Sequence, residues 1–119
     1  MSRPRILLVE DEALVAMMME DTLIDWGWEV AATFGAVAPA LAWVSRHAGS
    51  IDCAVLDVNL GGEMVFPVAE ALAASGIPFL FLTGYTSLPE AAGFSAPVLH
   101  KPVDDAALAR VLGQWRAAA

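Results

Sequence analysis

Four short runs of this chain are apolar at successive positions rather than at every second one: Ile6 to Val9, Cys53 to Leu56, Ile77 to Leu82 and Pro97 to Leu99. Such runs suit strands covered on both faces, which is the situation inside a parallel sheet. Glu29 to Thr33 is a weaker candidate, expected nearer a sheet edge. Between these runs the apolar spacing becomes helical. Val37, Leu41, Val44 and Ala48 form one stripe, and Val65, Val68, Ala69 and Leu72 a second. Leu108, Val111, Leu112 and Trp115 form a third, opened by Asp104 as an N-cap. Glu12 to Trp26 reads as a further helix closed by Gly27, and Gly76 stands where a C′ glycine would end the helix before it. Thr86 to Phe94 is broken by Pro89 and Gly93, so a fourth helix there is expected to be short or irregular.

Alternating β and α units predict a doubly wound α/β domain with a five-stranded parallel sheet. The 119 residues make one domain, 1–119, with no repeats or linkers. At 58% apolar and 17% charged the chain is expected to fold. No apolar run approaches the roughly 20 residues of a membrane span, and Met1 to Arg5 leads into a strand rather than a signal peptide. Cys53 is the only cysteine, so a cytoplasmic setting is the expectation. A net charge of −8 with six Lys and Arg argues against a nucleic-acid surface and for protein partners or cations.

In doubly wound folds ligands bind beyond the carboxyl ends of the strands. The first run ends in Glu10-Asp11-Glu12, the third strand in Asp57, the fourth in Thr83 and the fifth in Lys101. Taken singly, each has an ordinary explanation. The acids complement a helix N-terminus, Thr83-Gly84 ends a strand, Lys101-Pro102 is a loop, and Asp57 caps one. Taken together they fit one reaction. Converging carboxylates disfavour one another's ionisation, and an all-oxygen site with few protein ligands suits Mg²⁺. A carboxylate beside Mg²⁺ can attack a phosphoryl group to give an acyl phosphate. Lys101 would supply a fixed positive charge and Thr83 a hydroxyl donor for the transferring oxygens.

On these residues the chain resembles the receiver domains of two-component response regulators over essentially its whole length. The resemblance implies a flavodoxin-like strand order of 2-1-3-4-5. It implies an acidic pair at Glu10 and Asp11, a phosphoacceptor at Asp57, a switch hydroxyl at Thr83 and a site lysine at Lys101, with a cis bond before Pro102. Metal ligation would come from Asp11, Asp57 and the backbone carbonyl of Asn59, with Glu10 acting mostly through water. The segment Pro78-Phe-Leu-Phe-Leu-Thr-Gly-Tyr85, with Gly61-Gly62-Glu63 and Phe66-Pro67-Val68 before it, is similar to single-domain receivers common in alphaproteobacteria.

One position departs from the pattern. Many receivers carry Tyr or Phe three residues before the lysine, where this chain has Val98. Tyr85 is a candidate replacement, with a tyrosine packed on a loop an equal reading. Gly84 leaves the site open to a bulky donor, and Asn59 and Tyr85 flank the expected path of the hydrolytic water.

The resulting expectation is a stand-alone regulator phosphorylated by a histidine kinase or histidine phosphotransfer protein. It would signal by protein contact or by relay transfer, as a monomer or a phosphorylation-dependent dimer. It would catalyse only its own phosphorylation and hydrolysis, and is not expected to be an enzyme on an external metabolite. Only Ala117 to Ala119 follow the last helix, so no output domain is expected. Two other classes fit the sequence less well. A receiver that binds partners unphosphorylated conflicts with the complete residue set. A cofactor-binding or phosphohydrolase domain would need a Gly-rich loop after the first strand or an Asp-x-Asp pair, and Asn59 stands at the latter.

Met17, Met18 and Met19 are successive on the first helix, about 100° apart, so at least one must be exposed. His47 and His100 read as surface or packing residues, Cys53 as a core residue and Trp115 as core.

Overall fold

The computed structural model describes residues 3–84 and 93–118. Five strands, β1 (Arg5–Val9), β2 (Glu29–Phe34), β3 (Cys53–Asp57), β4 (Phe79–Thr83) and β5 (Val98–His100), form one parallel sheet in the order 2-1-3-4-5. Among the described residues four α-helices accompany it: α1 (Ala13–Asp25), α2 (Val37–His47), α3 (Phe66–Ala74) and α4 (Asp105–Ala118). This is the flavodoxin-like strand order.

Strand alternation explains why the central runs are apolar throughout. Leu7, Val9, Ala54, Leu56, Phe79 and Phe81 face one layer, packing on Val37, Ala40 and Val44 of α2 and Val68, Ala69 and Leu72 of α3. Their neighbours Ile6, Leu8, Cys53, Val55, Leu80 and Leu82 face the other, against Ala16 and Leu23 of α1 and Leu108 and Leu112 of α4. Neither face of β1, β3 or β4 meets water, so polar residues are confined to their ends.

Local chemistry sets the element boundaries. Gly27 and Gly76 take positive φ, 93° and 72°, and so stop α1 and α3. Asp104 caps α4 by accepting from the Ala106 N–H at 3.0 Å. At its far end, Arg116 donates to the carbonyl oxygen of Trp26, tying α4 to the close of α1.

Three details differ from the sequence reading. Ala40, not Leu41, supplies the fully buried position of the α2 stripe, with Leu41 half-buried. β5 lies at the edge of the sheet, and its Val98 and His100 are exposed rather than covered, Val98 at 37%. Trp115 is partly rather than wholly buried. The expected short helix at 86–94 falls almost entirely outside the described residues, as does Tyr85. Of the three consecutive methionines, Met17 and Met18 are 60% and 62% exposed, and Met19 packs against the core.

Candidate phosphoacceptor and cation site

Parallel pairing delivers the polar strand ends to one edge. Val9 pairs with Leu56 and Asp57 with Leu82, so Glu10, Asp57 and Thr83 leave the sheet at nearly the same level. The Lys101 N–H donates to the Thr83 carbonyl at 2.8 Å, which seats Lys101 beside the end of β4. The peptide bond that follows, Lys101–Pro102, is cis.

Carboxylate oxygens of Glu10, Asp11 and Asp57 lie within 4.8 Å of one another. Glu10 and Asp57 are only 4% and 5% exposed, while Asp11 reaches solvent. The Lys101 ammonium bridges the buried pair, at 3.0 Å from Asp57 Oδ2 and 3.1 Å from Glu10 Oε1. Burial alone would lower the lysine's pKa. The hydrogen bonds to Asp57 and Glu10 and their negative charge outweigh this, so it ends above the ordinary lysine value. Three carboxylates against one ammonium leave an excess of two negative charges. A divalent cation would neutralise that excess, and the donors are all oxygen, as suits Mg²⁺.

The other Glu10 oxygen, Oε2, accepts the Glu12 N–H at 3.2 Å. Both Glu10 oxygens are thus engaged, whereas Asp11 faces the opening. Asn59 follows β3 by two residues, and its N–H donates to Asp57 Oδ1 at 3.4 Å. A cavity of about 430 Å³ is lined by Asp11, Asp57, Asn59, Gly84 and Lys101 together with Glu12, Gly61 and Gly62. Thr83 is buried at the mouth of β4 and Pro102 lines a neighbouring groove, so neither walls this cavity. Sequence reasoning did not assign Glu12, Gly61 or Gly62 to the site. The Gly-Gly doublet two residues after Asn59 was the available signal, since such a pair marks a tight hairpin turn.

No family model matches the chain, and no curated protein matches it either. Solved structures do. The solution structure of SdrG from Sphingomonas melonis Fr1 is 48% identical, over 97% of this chain and 98% of that one, with a TM-score of 0.79. The chain belongs to the response-regulator receiver family. The BeF3-activated conformation of SdrG from Pseudomonas melonis Fr1 matches this receiver at 44% identity, over 94% and 95% of the two chains, with a TM-score of 0.75. A response regulator receiver protein from Sinorhizobium medicae WSM419 matches at 27% identity, over 98% and 96%, with a TM-score of 0.84. Among its described residues this receiver has no helix long and apolar enough to cross a membrane.

Proposed function

We propose that the chain is a cytoplasmic two-component regulator whose Asp57 accepts a phosphoryl group from a phosphohistidine on a sensor kinase or phosphotransfer protein, with Mg²⁺ required. The observation that carries this reading is the Asp57 carboxylate, nearly buried at an open cavity with Lys101 at 3.0 Å and the Glu10 and Asp11 carboxylates beside it. SdrG is similar over its full length and is known in a BeF3-activated conformation, which is the response expected of a protein switched by a phosphoryl mimic.

In the transfer, an Asp57 oxygen attacks phosphorus as the P–N bond of the donor breaks. The electron pair stays on the imidazole nitrogen, and the new P–O bond makes an acyl phosphate. Lys101 exchanges part of its contact with Asp57 for a phosphoryl oxygen, and the Thr83 hydroxyl donates to another. Mg²⁺, held by Asp11, Asp57 and the Asn59 carbonyl, would neutralise the equatorial oxygens. The chain thus catalyses only its own modification, and the signal leaves by protein contact or onward transfer.

Donor docking has support outside the cavity. A groove of about 390 Å³ beside Lys101 and Pro102 is lined by Val15, Met18 and Met19 of α1. Leu14 and Met17 of the same helix are exposed, as is Met18, and methionine suits an adaptable protein surface.

Incubation with Mg²⁺ and phosphoramidate or acetyl phosphate should give one phosphoryl adduct by intact mass, lost on chelation and in Asp57→Asn. An unmodified wild type, or an undiminished adduct on Asp57→Asn, would sink the reading.

A further inference from the structure

We infer that Gly61 and Gly62 are positioning residues for the cation site, fixing the Asn59 backbone so that their turn sets Mg²⁺ affinity. The inference rests on the Mg²⁺ reading above and extends it to residues that touch no cation themselves.

Residues 58–65 form a closed hairpin hung on the end of β3. Val58 and Val65, both fully buried, anchor its base, where the Val65 N–H donates to the Val58 carbonyl at 2.9 Å. The Val58 N–H in turn donates to the Leu82 carbonyl at 3.0 Å, which fastens the base to β4. Asn59 then pairs with Met64 and Leu60 with Glu63, antiparallel. Only Gly61 and Gly62 remain to reverse the chain, and both adopt positive φ, 66° and 98°. A two-residue reversal of this kind requires positive φ at both central positions.

The tip closes on the site. The Gly62 N–H donates to Asn59 Oδ1 at 2.7 Å, while the Asn59 N–H donates to Asp57 Oδ1. Asn59 is therefore held from its side chain by the turn and from its backbone by the phosphoacceptor. Both bonds restrict how far the Asn59 backbone, and with it the carbonyl, can turn. A Cβ on Gly61 would stand 3.9 Å from Asp11 Oδ2, so the turn also forms the wall facing the exposed carboxylate. Nothing crowds a Cβ at Gly62. An alanine there acts through the backbone, by pushing φ out of the left-handed region and moving the donor of the Asn59 bond.

The test is a Mg²⁺ titration followed by backbone amide shifts, with no phosphodonor present. Gly62→Ala should weaken Mg²⁺ binding by about tenfold. Gly62→Asn should lose less affinity than Gly62→Ala, because asparagine tolerates the left-handed region better than alanine; Gly61→Val should lose affinity like Gly62→Ala. Gly76→Ala is the control for strain alone: its φ is 72°, it ends α3, and nothing lies near its Cβ. It should lower stability and leave Mg²⁺ affinity unchanged. With phosphoramidate, the Gly62→Ala defect should fall on the Mg²⁺ concentration needed and not on the rate at saturation. Unchanged affinity in Gly62→Ala, or an equal loss in Gly76→Ala, overturns the inference while leaving the Mg²⁺ reading intact. A wild type whose amides ignore Mg²⁺ overturns both.

Discussion

Lys101 is the chain's only lysine, and the fold sets it between two nearly buried carboxylates. Replacing it by Met removes the cation that the Glu10 and Asp57 pair faces. Loss of one preorganised donor to developing phosphoryl charge costs on the order of a hundredfold in rate, so the rate of adduct formation from phosphoramidate should fall by about that much. Mg²⁺ should raise the melting temperature of Lys101→Met more than that of wild type, since the carboxylates then rely on the metal alone. An equal Mg²⁺ effect on both proteins would show that the lysine and the metal site are not coupled. Cys53 makes a different point at the same scale. Burial in β3, and then the charge of Asp52, push its thiol well above the usual range. Its thiolate is therefore scarce, and native protein should resist iodoacetamide at neutral pH, reacting only on unfolding. The sign of the linkage follows from the raised value: the folded state keeps a proton that the unfolded state loses. Stability is complete below the unfolded thiol pKa and falls by about 1.4 kcal/mol per pH unit from about pH 8.5 upward. Denaturant melts from neutral to alkaline pH should show that slope in wild type and a shallower one in Cys53→Ala. Lys101, also raised, adds the same sign at higher pH in both proteins.

At the scale of elements, burial decided what could be read from the sequence. β1, β3 and β4 were legible because helices cover both faces, leaving continuous apolar runs that only a doubly covered sheet explains. The polar strand ends were legible for the same reason, since Glu10, Asp57 and Thr83 interrupt an otherwise dry sheet. β5 misled, because an edge strand of three residues carries too little pattern to separate one covered face from two. Of the hairpin after Asp57 only its Gly61-Gly62-Glu63 loop was legible. Two-residue strands have no periodicity, and their register comes from the Gly61-Gly62 turn and from tertiary bonds to Val58 and Leu82 that no local window contains. α1 shows the converse. Its spacing announced a helix and its three methionines announced an exposed one, but which of them face water depends on where Ala16 and Leu23 dock. That division predicts opposite behaviour for two leucines. Leu72→Ala, fully buried on α3, should cost about 2–5 kcal/mol. Leu14→Ala should change stability by less than about 0.5 kcal/mol, and combined with Met18→Ala it should slow transfer from a phosphohistidine protein while leaving modification by phosphoramidate alone. Equal slowing with both donors would place the defect in the chemistry rather than in docking.

At the scale of the whole molecule, the charge distribution divides the two reactants of the proposed transfer. The chain carries a net charge of −8, and its single lysine is spent inside the site, so the field reaching solvent is negative and local to an opening that is itself acidic. That field concentrates Mg²⁺ and repels a small anionic donor such as acetyl phosphate. Salt screens both effects, with a Debye length that shrinks from about 30 Å at 0.01 M to about 8 Å at 0.15 M. Raising ionic strength across that range should therefore weaken Mg²⁺ binding severalfold, as read by amide shifts. At saturating Mg²⁺ the same change should leave modification by acetyl phosphate undiminished or faster, because only the repulsion of the donor remains to be screened. A neutral surface would give no salt effect on either quantity, and a basic docking patch for the donor would make modification slow with salt. Falling rates at saturating Mg²⁺ would thus mean that the charge of this chain attracts its small-molecule donor, contrary to its net charge of −8.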